Sequence, residues 1–180
     1  MQNFSDNIIY LGIGSNTGDR EKNIASAFMH LKKHFDSIET ASLYESRPLY
    51  NIDQPDFLNT VFRCILRQRI ISPDAILEIT SNIENVLGRK RDFLNPKGPR
   101  IIDIDILLSG NRIIRTENLV IPHPGIKERL FVLLPLLELE KKLTDPVSLI
   151  NYEEIAGSLP DQGVYLYQSC RYIEKHINTG

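Results

Sequence analysis

The chain predicts an α+β fold built on one antiparallel sheet. Three observations carry that reading: short apolar runs rich in β-branched residues, two segments of helical periodicity between them, and 42% apolar residues over 180 positions. That length and apolar share suffice for one substantial core. No repeat, low-complexity linker or composition break divides the chain, so residues 1–180 are read as a single domain.

The elements follow in order. Ile8 to Ile13 is a first strand, ended by the turn residues Gly14-Ser15-Asn16-Thr17-Gly18. Asp19 can cap a helix on which Ile24, Phe28, Leu31 and Phe35 recur at helical spacing. Ser37 to Tyr44 reads as a strand, and Glu45 to Asp56, holding Pro48 and Pro55, as a loop. Phe57 to Gln68 is a longer strand with Phe62, Cys64 and Leu66 on one face. Ser72-Pro73-Asp74 opens a second helix, carrying Ile76, Ile79, Ile83 and Val86 inward and stopping at Gly88. A basic loop runs to Pro99, and Ile101 to Leu108 is the next strand, closed by Ser109-Gly110-Asn111. Pro122-His123-Pro124-Gly125 opens a short helix at Ile126. Phe131 to Leu139 is apolar and interrupted by Pro135, Pro146 to Ser158 looks helical, and Gly163 to Gln168 is a final strand. The order β-α-β-β-α-β is the ferredoxin-like arrangement, with helices packed on the sheet. They are expected to cover one face and leave the other for a ligand.

Bulk properties exclude several functions. A net charge of −2 and a pI near 6.1 oppose general nucleic-acid binding. The apolar run at Ile8 is too short for a membrane span and lacks the basic flank of a signal peptide, so a cytoplasmic protein is expected. Cys64 and Cys170 have no metal spacing and read as reduced thiols.

The chemistry concentrates in Gly98-Pro99-Arg100-Ile101-Ile102-Asp103-Ile104-Asp105-Ile106-Leu107-Leu108. Asp103 and Asp105 are two apart in a strand, so both carboxylates leave one face with Cα atoms roughly 6–7 Å apart. Such a pair needs positive compensation, and a pair of Mg²⁺ ions can supply it. Arg89, Lys90, Arg91, Lys97 and Arg100 lie just before it. Cations beside an acidic metal pair suit a polyphosphate, which points to a nucleoside triphosphate. His123, held between prolines, and Arg129 can reach a phosphate. Phe57 and Phe131 can sandwich a flat heterocycle, with Asn59 pairing to its edge. A P-loop and a protein-kinase core are absent, and Gly12 to Gly18 fails the dinucleotide pattern at Thr17. An RNA-binding module on the same fold would also show strand aromatics, but the acidic strand opposes it.

Four stretches together resemble the 6-hydroxymethyl-7,8-dihydropterin pyrophosphokinase family: Leu11 to Asn16, Asp53 to Asn59, Gly98 to Leu107, and Pro122-His123-Pro124 with Arg129 and Phe131 to Leu133. The resemblance implies pyrophosphate transfer from ATP to 6-hydroxymethyl-7,8-dihydropterin with release of AMP. By that likeness Asp103 and Asp105 hold two Mg²⁺ ions, and Arg100, Arg91, Arg89 and His123 contact the triphosphate. Glu84 and Ile106 lie nearer the nucleoside, Phe57 and Phe131 stack on the pterin, and Asn59 reads its edge. Backbone groups from Ser46 to Leu49 complete the pterin pocket. The loops Glu45 to Asp56 and Gly88 to Pro99 are expected to close over the substrates. A free-standing monomer acting on small molecules is expected, with no nucleic-acid or membrane partner. Lys97, Asn118 and Val120 stand where many members carry tryptophan, arginine and threonine. Transfer of a single phosphate on the same scaffold, or action on another hydroxymethyl heterocycle, is left open by the sequence.

Overall fold

A computed structural model of the chain describes residues 7–49, 53–66, 72–90 and 97–169. The sheet is laid down around β1 (Ile8–Ser15), whose alternating residues face opposite sides. The chain then forms α1 (Arg20–Leu31), β2 (Phe35–Thr40), β3 (Leu43–Ser46), β4 (Phe57–Leu66), α2 (Pro73–Val86) and β5 (Asp103–Ser109). A small hairpin, β6 (Ile114–Arg115) and β7 (Val120–Ile121), precedes a 3₁₀ turn at Ile126–Glu128. Helices α3 (Leu130–Leu139) and α4 (Tyr152–Ser158) and strand β8 (Val164–Gln168) complete it. The main sheet runs β5-β1-β4-β3-β8 in space, with β2 also on β4, and every pairing is antiparallel.

Both α1 and α2 start at side-chain caps, Asp19 accepting from the Lys22 amide and Ser72 from the Ala75 amide. They bury Ile24, Leu31, Ile76 and Ile83 against Leu11, Phe62, Cys64, Ile104 and Ile106 on one sheet face. The opposite face, expected from the sequence to be left free for a ligand, is in fact partly covered. Val132, Leu133 and Leu136 of α3 and Tyr152 of α4 pack there on Tyr10, Val61 and Leu107. α3 is apolar almost all round, so it is buried between the sheet and α4. Pro135 does not break it and is itself buried.

Other expectations shift at their edges. The strand foreseen at Ser37 to Tyr44 is two strands, because Ser42 donates its backbone N–H to the Glu138 carboxylate (2.8 Å) rather than to a neighbouring strand. Phe35 belongs to β2, not to α1, and β3 continues to Ser46. Val86 is exposed: Ile76, Thr80, Ile83 and Glu84 set the inward side of α2, and Val86 lies roughly 100° from it at 100° per residue. Residues 146–151 are not helical, since Asp145 accepts from the amides of Val147 and Ser148 and holds them in a turn. Among the described residues no helix is long and apolar enough to cross a membrane. Cys64 is a buried free thiol, and Cys170 lies outside the described residues.

Candidate active site

The uncovered remainder of the second sheet face is the floor of a cleft of about 250 Å³. Strand register decides what stands there. Asp103 and Asp105 lie across from Gly14 and Gly12 of β1, and Gly14 lies across from Asn59 of β4. Phe57 pairs with Ser46 of β3 on the same face. A strip without side chains therefore separates the carboxylates from Asn59 and Phe57. A Cβ on Gly14 would stand 3.4 Å from Asn59 Oδ1, and one on Gly12 would stand 3.2 Å from Leu107 Cδ2. The Asn59 amide donates to Ser46 Oγ at 2.9 Å, which fixes the plane of its carboxamide.

Charges at the β5 end form a chain. Arg89 bridges the buried Glu84 carboxylate and Asp103, 2.5 Å from Asp103 Oδ1. Arg100 Nε lies 2.8 Å from Asp103 Oδ2. Glu84 also accepts the Ile104 amide at 2.7 Å, so α2 grips the start of β5 through one carboxylate. Burial, then repulsion from Asp103, pushes the Asp105 carboxyl up to about 7, against the pull of Arg129 and Arg100. His123 is shifted the other way, below its usual range, by burial and by Arg129. Its Nδ1 accepts the Gly125 amide at 3.1 Å, so the neutral ring carries its proton on Nε2. The His123 amide in turn binds the Leu107 carbonyl, fixing the loop after the cis Ile121–Pro122 bond to β5.

Each aromatic ring in the cleft has a guanidinium above it. Arg100 Cζ is 5.0 Å from the Phe57 centroid, and Arg129 Cζ is 5.9 Å from that of Phe131.

Ser46, Leu49, Phe57, Asn59, Arg89, Arg100, Asp103, Asp105, His123, Arg129 and Phe131 all line this one cleft, as does Lys97. Glu84 stands behind Arg89, and the Ile106 side chain lies in the opposite core; neither lines the cleft. Asn118 and Val120 are exposed and outside the lining. Arg91 lies outside the described residues, as do parts of both loops expected to close, residues 50–52 and 91–96.

Residue-level reasoning gave no role to Gly12, Gly14, Asn16 or Gln54. Asn16 donates to Gln54 Oε1 (3.0 Å) and to the Pro55 carbonyl (3.1 Å), and its own Oδ1 accepts the Arg100 amide (2.7 Å). Gln54 donates to the Lys97 carbonyl at 3.1 Å. The two loops are thus tied to each other. The signal was the bare Gly-x-Gly-Ser-Asn sequence ending an apolar strand, which a dinucleotide pattern does not explain.

The acidic pair fits Mg²⁺. Among the described residues no three His, Cys, Asp or Glu side chains converge, so these residues offer two carboxylates and no closed cage. Mg²⁺ is commonly held in this way, by one or two carboxylates with phosphates and water filling its octahedron.

Comparison with known proteins agrees with the geometry. The model of the family described as 7,8-dihydro-6-hydroxymethylpterin-pyrophosphokinase matches residues 10–141. The 2-amino-4-hydroxy-6-hydroxymethyldihydropteridine pyrophosphokinase of Bacillus subtilis is 43% identical over 176 residues, 97% of this chain and 98% of that one. The folic acid synthesis protein fol1 of Schizosaccharomyces pombe is 41% identical over 90% of this chain, but the chain spans only 22% of its length. Among solved structures, an HPPK-DHPS in complex with substrates superposes with a TM-score of 0.66 at 15% identity, over 85% of this chain and 43% of that one. The wild-type HPPK-DHPS of Plasmodium falciparum gives 0.65 at 16% identity, over 84% and 44%. With the Asp103–Asp105 strand, the glycine floor and the Phe57–Asn59 wall all inside the matched segment, the chain belongs to the 7,8-dihydro-6-hydroxymethylpterin-pyrophosphokinase family.

Proposed function

We propose that residues 1–180 act as one monomeric catalytic domain that transfers pyrophosphate from ATP to the hydroxymethyl group of 6-hydroxymethyl-7,8-dihydropterin, releasing AMP. The observation that carries this reading is the glycine strip. It lets a flat heterocycle at Phe57 and Asn59 meet a polyphosphate at Asp103 and Asp105 with no side chain between them.

The pterin lies between Phe57 and Phe131, its amide edge against Asn59, with Ser46 and Leu49 at the pocket's rim. Arg89, Arg100, Arg129 and His123 Nε2–H face the phosphate oxygens, joined by Arg91 from the basic loop. Glu84 holds Arg89 in place, and Ile106 supplies backbone beside the nucleoside. The substrate hydroxyl oxygen attacks the β-phosphorus as its bond to the α–β bridging oxygen breaks; AMP leaves with that oxygen and the bonding pair, and the hydroxyl proton passes to water. Transfer of this kind needs alignment and charge neutralisation more than a protein base.

Two Mg²⁺ ions on Asp103 and Asp105 would supply further neutralisation of the phosphate oxygens. Arg47, Arg89, Lys97, Arg100 and Arg129 line the cleft against Asp103 and Asp105, so its lining is cationic and suits a polyphosphate.

Arg100 and Arg129 cover the two rings between which the pterin would stack. Phosphate oxygens would draw these guanidiniums off Phe57 and Phe131 and bare both faces, so nucleotide is expected to precede pterin. The test is to incubate the protein with Mg²⁺, ATP and 6-hydroxymethyl-7,8-dihydropterin and identify the nucleotide released. AMP that forms only with pterin present supports the reading; ADP, or no product, overturns it.

A further inference from the structure

Strand β8 lies beyond residue 141, where the family match ends, and yet it pairs with β3 at the pterin end of the cleft: Ser46 opposite Val164, Glu45 opposite Tyr165. β3 is only four residues long and is held between β4 and β8. Ser46 faces the cleft, so Glu45 emerges on the other side of the sheet, toward α1. There Arg20, in the first turn of α1, lies 2.7 Å from Glu45 Oε1 and donates to the Asp56 carbonyl at 2.8 Å. One guanidinium thus spans the point where β3 leaves the sheet and the point where β4 enters it. Tyr167 of β8 lies against it, with its ring centroid 5.8 Å from Arg20 Cζ, and its hydroxyl donates to Glu21 Oε1 at 2.7 Å.

We infer that Arg20, backed by Tyr167, is a positioning residue that sets the spacing of Ser46 against Phe57 and Asn59, and so governs pterin affinity from behind the sheet. This rests on the cleft being a pterin site. Among the described residues Arg20 bonds to Glu45 and Asp56, neither of which lines the cleft. Ser46 and Phe57 each sit one residue from a group it holds. An unclasped pair of strand ends would present the pocket correctly for a smaller fraction of the time, and apparent affinity falls by that fraction.

The experiment measures binding of 6-hydroxymethylpterin by its fluorescence, with saturating Mg²⁺ and an unreactive ATP analogue, and binding of the analogue alone. Arg20→Ala is expected to weaken pterin about three- to tenfold, the scale of one half-buried ion pair with an added hydrogen bond, and to leave analogue affinity within about twofold. Tyr167→Ala should act in the same direction and add nothing in the Arg20→Ala background. Arg20→Lys, which keeps a charged donor but loses the guanidinium plane against Tyr167, should fall between. If Arg20→Ala does not fold, Glu45→Gln removes the same ion pair with less disturbance and is read identically. Unchanged pterin affinity in these variants, or equal loss of pterin and nucleotide, overturns the inference. A wild-type protein that binds nucleotide but no pterin overturns the pterin reading instead, and the two failures are distinct.

Discussion

At the scale of single residues, the cleft is specified as much by missing side chains as by charged ones. Gly14 separates Asp103 from Asn59, and valine there would suit a strand but project methyl groups into the path between the proposed substrates. Gly14→Val is expected to remain folded by circular dichroism while turnover falls by at least about a hundredfold, the scale of a misplacement of reacting groups. Wild-type turnover would disprove the role of the bare strip. Asp105→Ala should abolish turnover, by more than about a thousandfold if charge stabilisation dominates. The melting temperature should hold or rise, because a carboxylate crowded by burial and by Asp103 is removed. A stable, fully active Asp105→Ala protein would overturn the metal assignment. Asp103 and Asp105 were legible in the sequence because two acids in an apolar strand are conspicuous. Asn16 was not: its side chain reaches Gln54, Pro55 and Arg100, which are adjacent only once the chain is folded.

Local rules placed the first turns of α1 and α2 well and the strand ends less well. Ser72-Pro73-Asp74 foretold the first turn of α2, and Ser72 does accept the Ala75 amide at 3.2 Å. Ser72→Ala is expected to lower unfolding stability by about 0.5–2 kcal/mol. Urea titration should show the midpoint falling with an unchanged slope. Ile83→Ala, on the inward face of the same helix, should cost about 2–5 kcal/mol by opening a cavity in the core. An equal effect of the two substitutions would contradict the burial pattern. The break between β2 and β3 had no local signature, since the group that diverts the Ser42 amide is Glu138, ninety-six residues away. The covering of the second sheet face by α3 was hidden for a similar reason. An apolar segment holding a proline reads equally as strand or buried helix until its partners are known.

At the scale of the whole molecule, Asp145 ties the segment following α3 to the 3₁₀ turn that precedes it. It is buried and accepts from Lys127 Nζ at 2.9 Å and Ser148 Oγ at 2.6 Å, as well as the Val147 and Ser148 amides. Burial alone would raise its pKa, but the Ser148 and Lys127 contacts and the two amides outweigh it and hold the carboxyl at about 2. A depressed folded-state pKa stabilises the fold above the ordinary carboxylate range, and that contribution is lost as pH falls through the folded value. Stability should therefore decline between about pH 4 and pH 2, and Asp145→Asn should be less stable at pH 7 with a shallower decline. Thermal unfolding across that range measures both, and a parallel decline in the two proteins would remove Asp145 as its source.

The register of β5 on β1 has a consequence for folding. With side chains alternating at every residue, a slip of one position would carry Asp103 and Asp105 into the apolar layer beneath α1 and α2 and turn Ile104 and Ile106 out to water. Burying two carboxylates there without partners is far costlier than any strand pairing gained. The acidic pair therefore acts during folding as a check on alignment, rejecting the misaligned sheet before a substrate is ever met.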